Sequence, residues 1–213
     1  GRRDEAVITT KVGVVASADF AHGRNASPAP IAASIDGSLR RLGTDHVDLY
    51  LLHRVDPATP LEESWAAMAE VVRAGKARHI GISEATLAQV QTCQAIHPVA
   101  AVQSELSLWT RDWLDDVVPW CQAQGAAFMA FSPLGRGYLT GTLSGRRFGD
   151  DDFRSVLPRF SPEAMAANEA LVDVVRAVAR RHGATPAQVA LAWVLAQSPA
   201  VLSAMNGLSK KAR

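Results

Sequence analysis

Five residues able to handle protons or bind polar groups each close a short apolar run: Lys11, His53, Ser83, Gln103 and Ser132. The runs cover 6–10, 47–52, 78–82, 100–103 and 127–131. A charged lysine abutting a buried run needs a partner, because an unpaired ammonium is costly to desolvate. An ammonium and an imidazole set among hydroxyl and amide groups therefore mark a chemical site rather than a packing site. In a (β/α)8 barrel such a site is built at the carboxyl ends of several strands.

The runs are rich in Val, Ile, Leu and Phe and nearly continuous in apolarity, which is how strands of a parallel sheet buried on both faces read. Amphipathic segments lie between them. Thr59-Pro60-Leu61-Glu62 predicts a capping box with Pro at the first helical position, in a helix that Gly75 ends. Thr185-Pro186-Ala187-Gln188 repeats the device, and Ser161-Pro162-Glu163 opens a helix that Gly183 closes. Gly43 and Gly125 end helices expected to begin near Pro30 and Trp113. Alternation without a hairpin signal gives a parallel α/β fold.

The steps from Lys11 through His53, Ser83 and Gln103 to Ser132 are 42, 30, 20 and 29 residues. They average about one βα unit of 30 residues. A full (β/α)8 barrel needs roughly 250 residues, so the 213 here predict an incomplete (β/α)8 TIM barrel. About five or six of its eight strands are present, with residues 200–202 starting a sixth. A dinucleotide-binding G-x-G-x-x-G is absent after the first run. The nearest stretch, Gly135-Arg136-Gly137-Tyr138-Leu139-Thr140-Gly141, has other spacing. Residues 134–160 form the longest irregular stretch, and loops of that length in compact domains are usually functional.

With 22 Lys+Arg, 21 Asp+Glu and no basic block, the net charge of +1 argues against a nucleic-acid or membrane-surface role. No apolar run can span a bilayer. Cys93 and Cys121 are isolated and read as core thiols, which fits a reducing, cytoplasmic setting. No metal site is expected, the run Asp150-Asp151-Asp152 reading as a solvated loop.

The stretch Leu42-Gly43-Thr44-Asp45-His46-Val47-Asp48-Leu49-Tyr50-Leu51-Leu52-His53-Arg54 resembles the L-G-x-D-x-x-D-L-x-x-x-H signature of the aldo-keto reductases. TPLEESWAAMAEVVRAGKARHIGIS at 59–83, QSELSLW at 103–109 and FSPLGRG at 131–137 are also similar to that family, in the same order. "HRVDP" and "SPLGRG" look like the group with pyridoxal-reductase-like and perakine-reductase-like members. The resemblance runs over residues 1–201, a partial barrel, and leaves 202–213 as a divergent tail.

The resemblance implies a (β/α)8 barrel that reduces an aldehyde or ketone with hydride from NADPH, on a small carbonyl substrate. It places two of the family's four catalytic roles on Lys11 and His53. The other two, an Asp and a Tyr, fall on a strand and loop before residue 1. Tyr50 cannot substitute, since three residues before His53 on a strand it faces the other side. Lys lowers the pKa of the family's Tyr, whose ordinary value near 10 makes it a poor acid, and His orients the carbonyl. Ser83 and Gln103 are implied to hold the nicotinamide carboxamide, and Phe131 to stack on the ring. Ser132, Leu134, Gly135 and Arg136 would wrap the pyrophosphate. Trp109 is a candidate for the substrate pocket. Lys210 and Lys211 do not sit in the family's 2′-phosphate motif, so the expectation is a truncated chain of weak or no NADPH affinity and no turnover. The alternative is a non-catalytic binding or regulatory subunit, similar to the potassium-channel beta subunits.

Overall fold

Asp48 sets where the first strand begins. Its carboxylate accepts the Ile8 N–H at 2.8 Å and pairs with Arg3 at 2.9 Å, so Ile8 gives its N–H to a side chain rather than to a neighbouring strand. The strand β1 accordingly runs Thr9–Val12, later than the expected 6–10, and Lys11 lies inside it. The computed structural model describes residues 3–16 and 22–204. Lys210, Lys211 and most of the expected tail lie outside the described residues.

After β1, Gly13 adopts φ +101°, where a Cβ would also meet Leu52 Cδ1 at 3.2 Å. The chain turns there into an antiparallel pair, β2 (Val14–Ala16) and β3 (His22–Arg24). This hairpin was not expected: three-residue strands carry too few residues for a period to show. There follow α1 (Pro28–Leu42), β4 (Val47–Leu52), α2 (Leu61–Arg73), β5 (Ala77–Ser83), α3 (Leu87–Ile96), β6 (Ala101–Glu105), α4 (Val117–Gln124) and β7 (Ala127–Phe131). Residues 132–160 hold only 3-10 turns, and α5 (Pro162–Arg181), α6 (Pro186–Leu195) and β8 (Val201–Ala204) complete the described chain. The sheet order is β1-β4-β5-β6-β7-β8, parallel from β1 through β6. That is six strands, among the described residues, where a closed (β/α)8 barrel has eight.

The chain divides into two compact units, Gly1–Ser104 with Trp113–Met129, and Glu105–Asp112 with Ala130–Arg213. In the first, Leu49, Leu51 and Ala101 cluster with Met129 on one face of the sheet. The opposite face packs on helices. Tyr50 is fully buried there and donates its hydroxyl to Ile31 O of α1 at 3.2 Å. Trp65 of α2, also fully buried, donates Nε1–H to His97 O at 3.0 Å. In the second unit Tyr138, Leu143, Phe160, Met165 and Val172 form a separate core.

Helix ends follow the sequence at α5 and α6. Ser161 Oγ accepts from Ala164 N, and the Thr185–Gln188 box is complete. Gly43 and Gly125 take the left-handed cap conformation. At α2 the expected box is not made. Asp56 accepts from Ala26 N, Ala58 N and the Thr59 hydroxyl, so Thr59 is spent upstream and Pro60 is left as the cap. The helix α1 starts at Pro28, near the expected Pro30, whereas α4 starts at Val117, past the expected Trp113. A further box, Thr86 with Gln89, opens α3.

Both cysteines are buried, and burial pushes each thiol up to about 12. The thiolate is the reactive form. Neither should therefore react with a disulfide reagent at about pH 8 in the folded chain, whereas both should in denaturant. Labelling of the native chain at the rate of free cysteine would contradict this placement.

Candidate active site

The parallel register aligns the strand-end residues of the first unit. Lys11 lies opposite Leu51, Leu51 opposite Gly81, Gly81 opposite Ala101, and Ser83 opposite Gln103. Side chains alternate along a strand. Lys11, Ser83 and Gln103 therefore share the Leu51–Ala101 face, and His53, two residues past Leu51, continues it. The carboxyl ends of β1, β4, β5 and β6 thus bring four of the expected residues to one place.

The lysine was expected to need a partner, and the structure supplies Gln103, whose Oε1 accepts from Lys11 Nζ. Burial first, and the nearby Arg54 cation second, hold the Lys11 ammonium below the usual lysine range. Ser83, 1% exposed, accepts from Arg54 Nη1 at 3.1 Å, and the same nitrogen donates to His53 O at 2.5 Å. A hydroxyl that accepts from a guanidinium keeps its proton to give away. Gln103, with its oxygen on Lys11, presents its amide nitrogen as a donor. Two donors at one strand-end ledge suit the acceptor oxygen of a carboxamide, so this pair fits a nicotinamide. A cavity of about 520 Å³ also borders Lys11, but its walls are β1, β2 and α1, without His53, Ser83 or Gln103.

The remaining expected residues belong to the second unit. Phe131 ends β7 and is half-buried. Ser132, Gly135 and Arg136 all adopt left-handed backbone, at φ +52°, +55° and +54°. Backbone bonds from Gly135 N to Ser132 O and from Gly137 N to Leu134 O tighten the turn. Trp109 stacks on Tyr138 with ring centroids 4.4 Å apart and meets Phe160 edge-on. A Cβ on Gly135 would stand 3.0 Å from Trp109 Cε3.

Tyr138 donates its hydroxyl to Met165 O at 2.5 Å, and burial raises its pKa, as it does for Tyr50. Neither tyrosine, of the two in the chain, is presented as a proton donor. Asp152 pairs with Arg154 and is held at about 2 by it, principally through that hydrogen bond. Among the described residues no group of three or more His, Cys, Asp or Glu could hold a metal ion, and no helix is long and apolar enough to cross a membrane. Three residues were missed from the sequence: Arg54, Glu105 and Arg159. Their long-range ion pairs and hydrogen bonds join positions 29 to 54 apart; Arg54 and Glu105 lie inside family-like stretches, but no local spacing marked what they hold.

A parallel α/β sheet carrying Lys, His, Ser and Gln near adjacent strand ends is the way a (β/α)8 barrel builds a chemical site. The model of the aldo/keto reductase family matches residues 1–213, and the chain belongs to that family. Among solved structures it is similar to the glycerol dehydrogenase AKR11B4 from Gluconobacter oxydans, at 30% identity and TM-score 0.84, over 94% of this chain and 63% of that one. It is also similar to the thermostable aldo-keto reductase Tm1743, solved with the inhibitor epalrestat. There the identity is 28% and the TM-score 0.71, over 96% of this chain and 62% of that one. The chain thus spans less than two thirds of the length of either.

Proposed function

We propose that this chain carries part of the site of an NAD(P)H-dependent carbonyl reductase acting on a small aldehyde or ketone. The observation that supports it most is the convergence of Lys11, His53, Ser83 and Gln103 on one face at four adjacent strand ends. In this reading the nicotinamide supplies a hydride when bound. Ser83 and Gln103 hold its carboxamide by donating to the carbonyl oxygen. Phe131 lies along the ring, and Ser132, Leu134, Gly135 and Arg136 wrap the pyrophosphate with left-handed backbone whose N–H groups can face an anion. His53 hydrogen-bonds the substrate carbonyl and sets its orientation. Lys11 supplies positive charge beside the developing alkoxide. Trp109 contributes an apolar wall for the substrate.

Titration of NADPH fluorescence tests this. Saturable binding is expected, weakened about tenfold by Gln103→Ala, in line with loss of a hydrogen bond within a buried polar pair. Repetition with NADH reads the preference for the 2′-phosphate. No saturable binding of either nucleotide would overturn the reading.

A second reading is a non-catalytic family member that binds the dinucleotide without turning it over, as a binding or regulatory subunit. It is favoured by the commitment of both tyrosine hydroxyls to backbone carbonyls. Binding without carbonyl-dependent oxidation is its signature.

A further inference from the structure

Glu105 is the last residue of β6 and is 7% exposed. Its Oε1 and Oε2 accept from Arg136 Nη1 at 3.0 and 2.8 Å. Arg159 Nη1 donates to Oε1 at 2.6 Å, and the Thr110 hydroxyl donates to the same oxygen at 3.2 Å. One buried carboxylate thus gathers two guanidiniums and a hydroxyl. The partners come from three stretches of the second unit: the turn at Gly135–Thr140, the 3-10 segment Pro158–Phe160 and the residues after β6.

Arg136 holds a left-handed backbone between two left-handed glycines, Gly135 and Gly137. That conformation is strained for an arginine and persists only where its surroundings over-determine it. The side chain of Arg136 ends on Glu105, so the carboxylate is the anchor of the strained residue. Arg159 extends the same anchor to 158–160, and its guanidinium also lies 5.2 Å over the Trp109 ring.

We infer that Glu105 is a positioning residue for dinucleotide binding. It clasps Arg136 and Arg159 so that the left-handed turn and segment 158–160 are fixed before an anionic ligand arrives. The inference rests on the proposal that the turn at 132–136 takes a pyrophosphate. It adds that affinity there depends on a residue touching no part of the ligand, because preorganisation lowers the ordering cost of binding.

The test compares wild type with Glu105→Gln, Glu105→Asp and Arg159→Lys by NADPH fluorescence titration, with inorganic pyrophosphate as competitor. Trypsin cleavage between 146 and 154 is followed in parallel. Glu105→Gln keeps shape and removes charge. It is expected to weaken NADPH and pyrophosphate about tenfold and to speed cleavage in 146–154. Glu105→Asp is expected to recover part of both. Thr185→Ala, which removes the α6 cap, is expected to lower stability and leave affinity unchanged, separating positioning from general destabilisation. Wild-type affinity and cleavage in Glu105→Gln would overturn the inference. If that variant does not fold, wild-type affinity in both Glu105→Asp and Arg159→Lys overturns it equally. Failure of wild type to bind NADPH would instead overturn the reductase reading and the cofactor half of the inference, while the cleavage rates still decide the clasp.

Discussion

Mixed with NADPH and 4-nitrobenzaldehyde, the 213-residue chain is expected to oxidise no cofactor above the rate seen without protein. Reduction of a carbonyl by hydride needs a proton for the oxygen, and a positioned general acid is worth about 10²–10⁴ in rate. The chain has two tyrosines. Tyr50 faces α1 and donates to Ile31 O, and Tyr138 donates to Met165 O. Burial raises both hydroxyls further from neutrality. Lys11 and His53 remain, with Lys11 turned to Gln103. They can orient and polarise, but neither tyrosine hydroxyl of these 213 residues is presented to deliver the proton. The measurement is the loss of NADPH absorbance with and without aldehyde. Robust turnover that disappears in His53→Ala would refute the expectation.

The second large effect concerns the wall of the site. Gly81→Ala is expected to destabilise the fold by about 3 kcal/mol, at the upper end for overpacking a dense interior. A Cβ at Gly81 would stand 2.4 Å from Ala101 O and 2.6 Å from Leu51 Cδ2. The first contact is backbone, in the strand paired with Gly81, and it cannot swing away. Relief requires β5 and β6 to part, and Ser83 and Gln103 ride on those strands. Nucleotide binding should weaken together with stability. A urea titration reads the first loss, and an unchanged midpoint would show that the sheet has more give than this packing allows.

What could be read from the sequence follows from range. The strand ends at His53, Ser83 and Ser132 were legible because polarity resumes where a doubly buried strand stops, whereas at Gln103 polarity resumes two residues before β6 ends, since Ser104 and Glu105 continue the strand buried. The Thr185 box and the glycine caps were legible because their partners lie within four residues. Thr59 misled although its partner is local: Asp56, three residues earlier, took its hydroxyl for a loop whose tie to Ala26 spans 30 positions. The first strand was placed early because Arg3 and Asp48 meet across 45 positions. The clasp on Glu105 draws on residues 31 and 54 positions away, and no local pattern marks such a meeting.

The strand β4 raises a question of alignment. Its sequence, Val47-Asp48-Leu49-Tyr50-Leu51-Leu52, is nearly apolar on both faces. A slide of one residue would exchange leucine for leucine, and the apolar pattern would scarcely resist it. Asp48 and Tyr50 resist it: one is tied to the Ile8 amide and Arg3, the other to the Ile31 carbonyl. Those two polar ties work as index marks on an otherwise unmarked ruler. They decide that His53 rather than its neighbour continues the strand face that carries Lys11, so residues that touch no ligand choose which side chain the site receives.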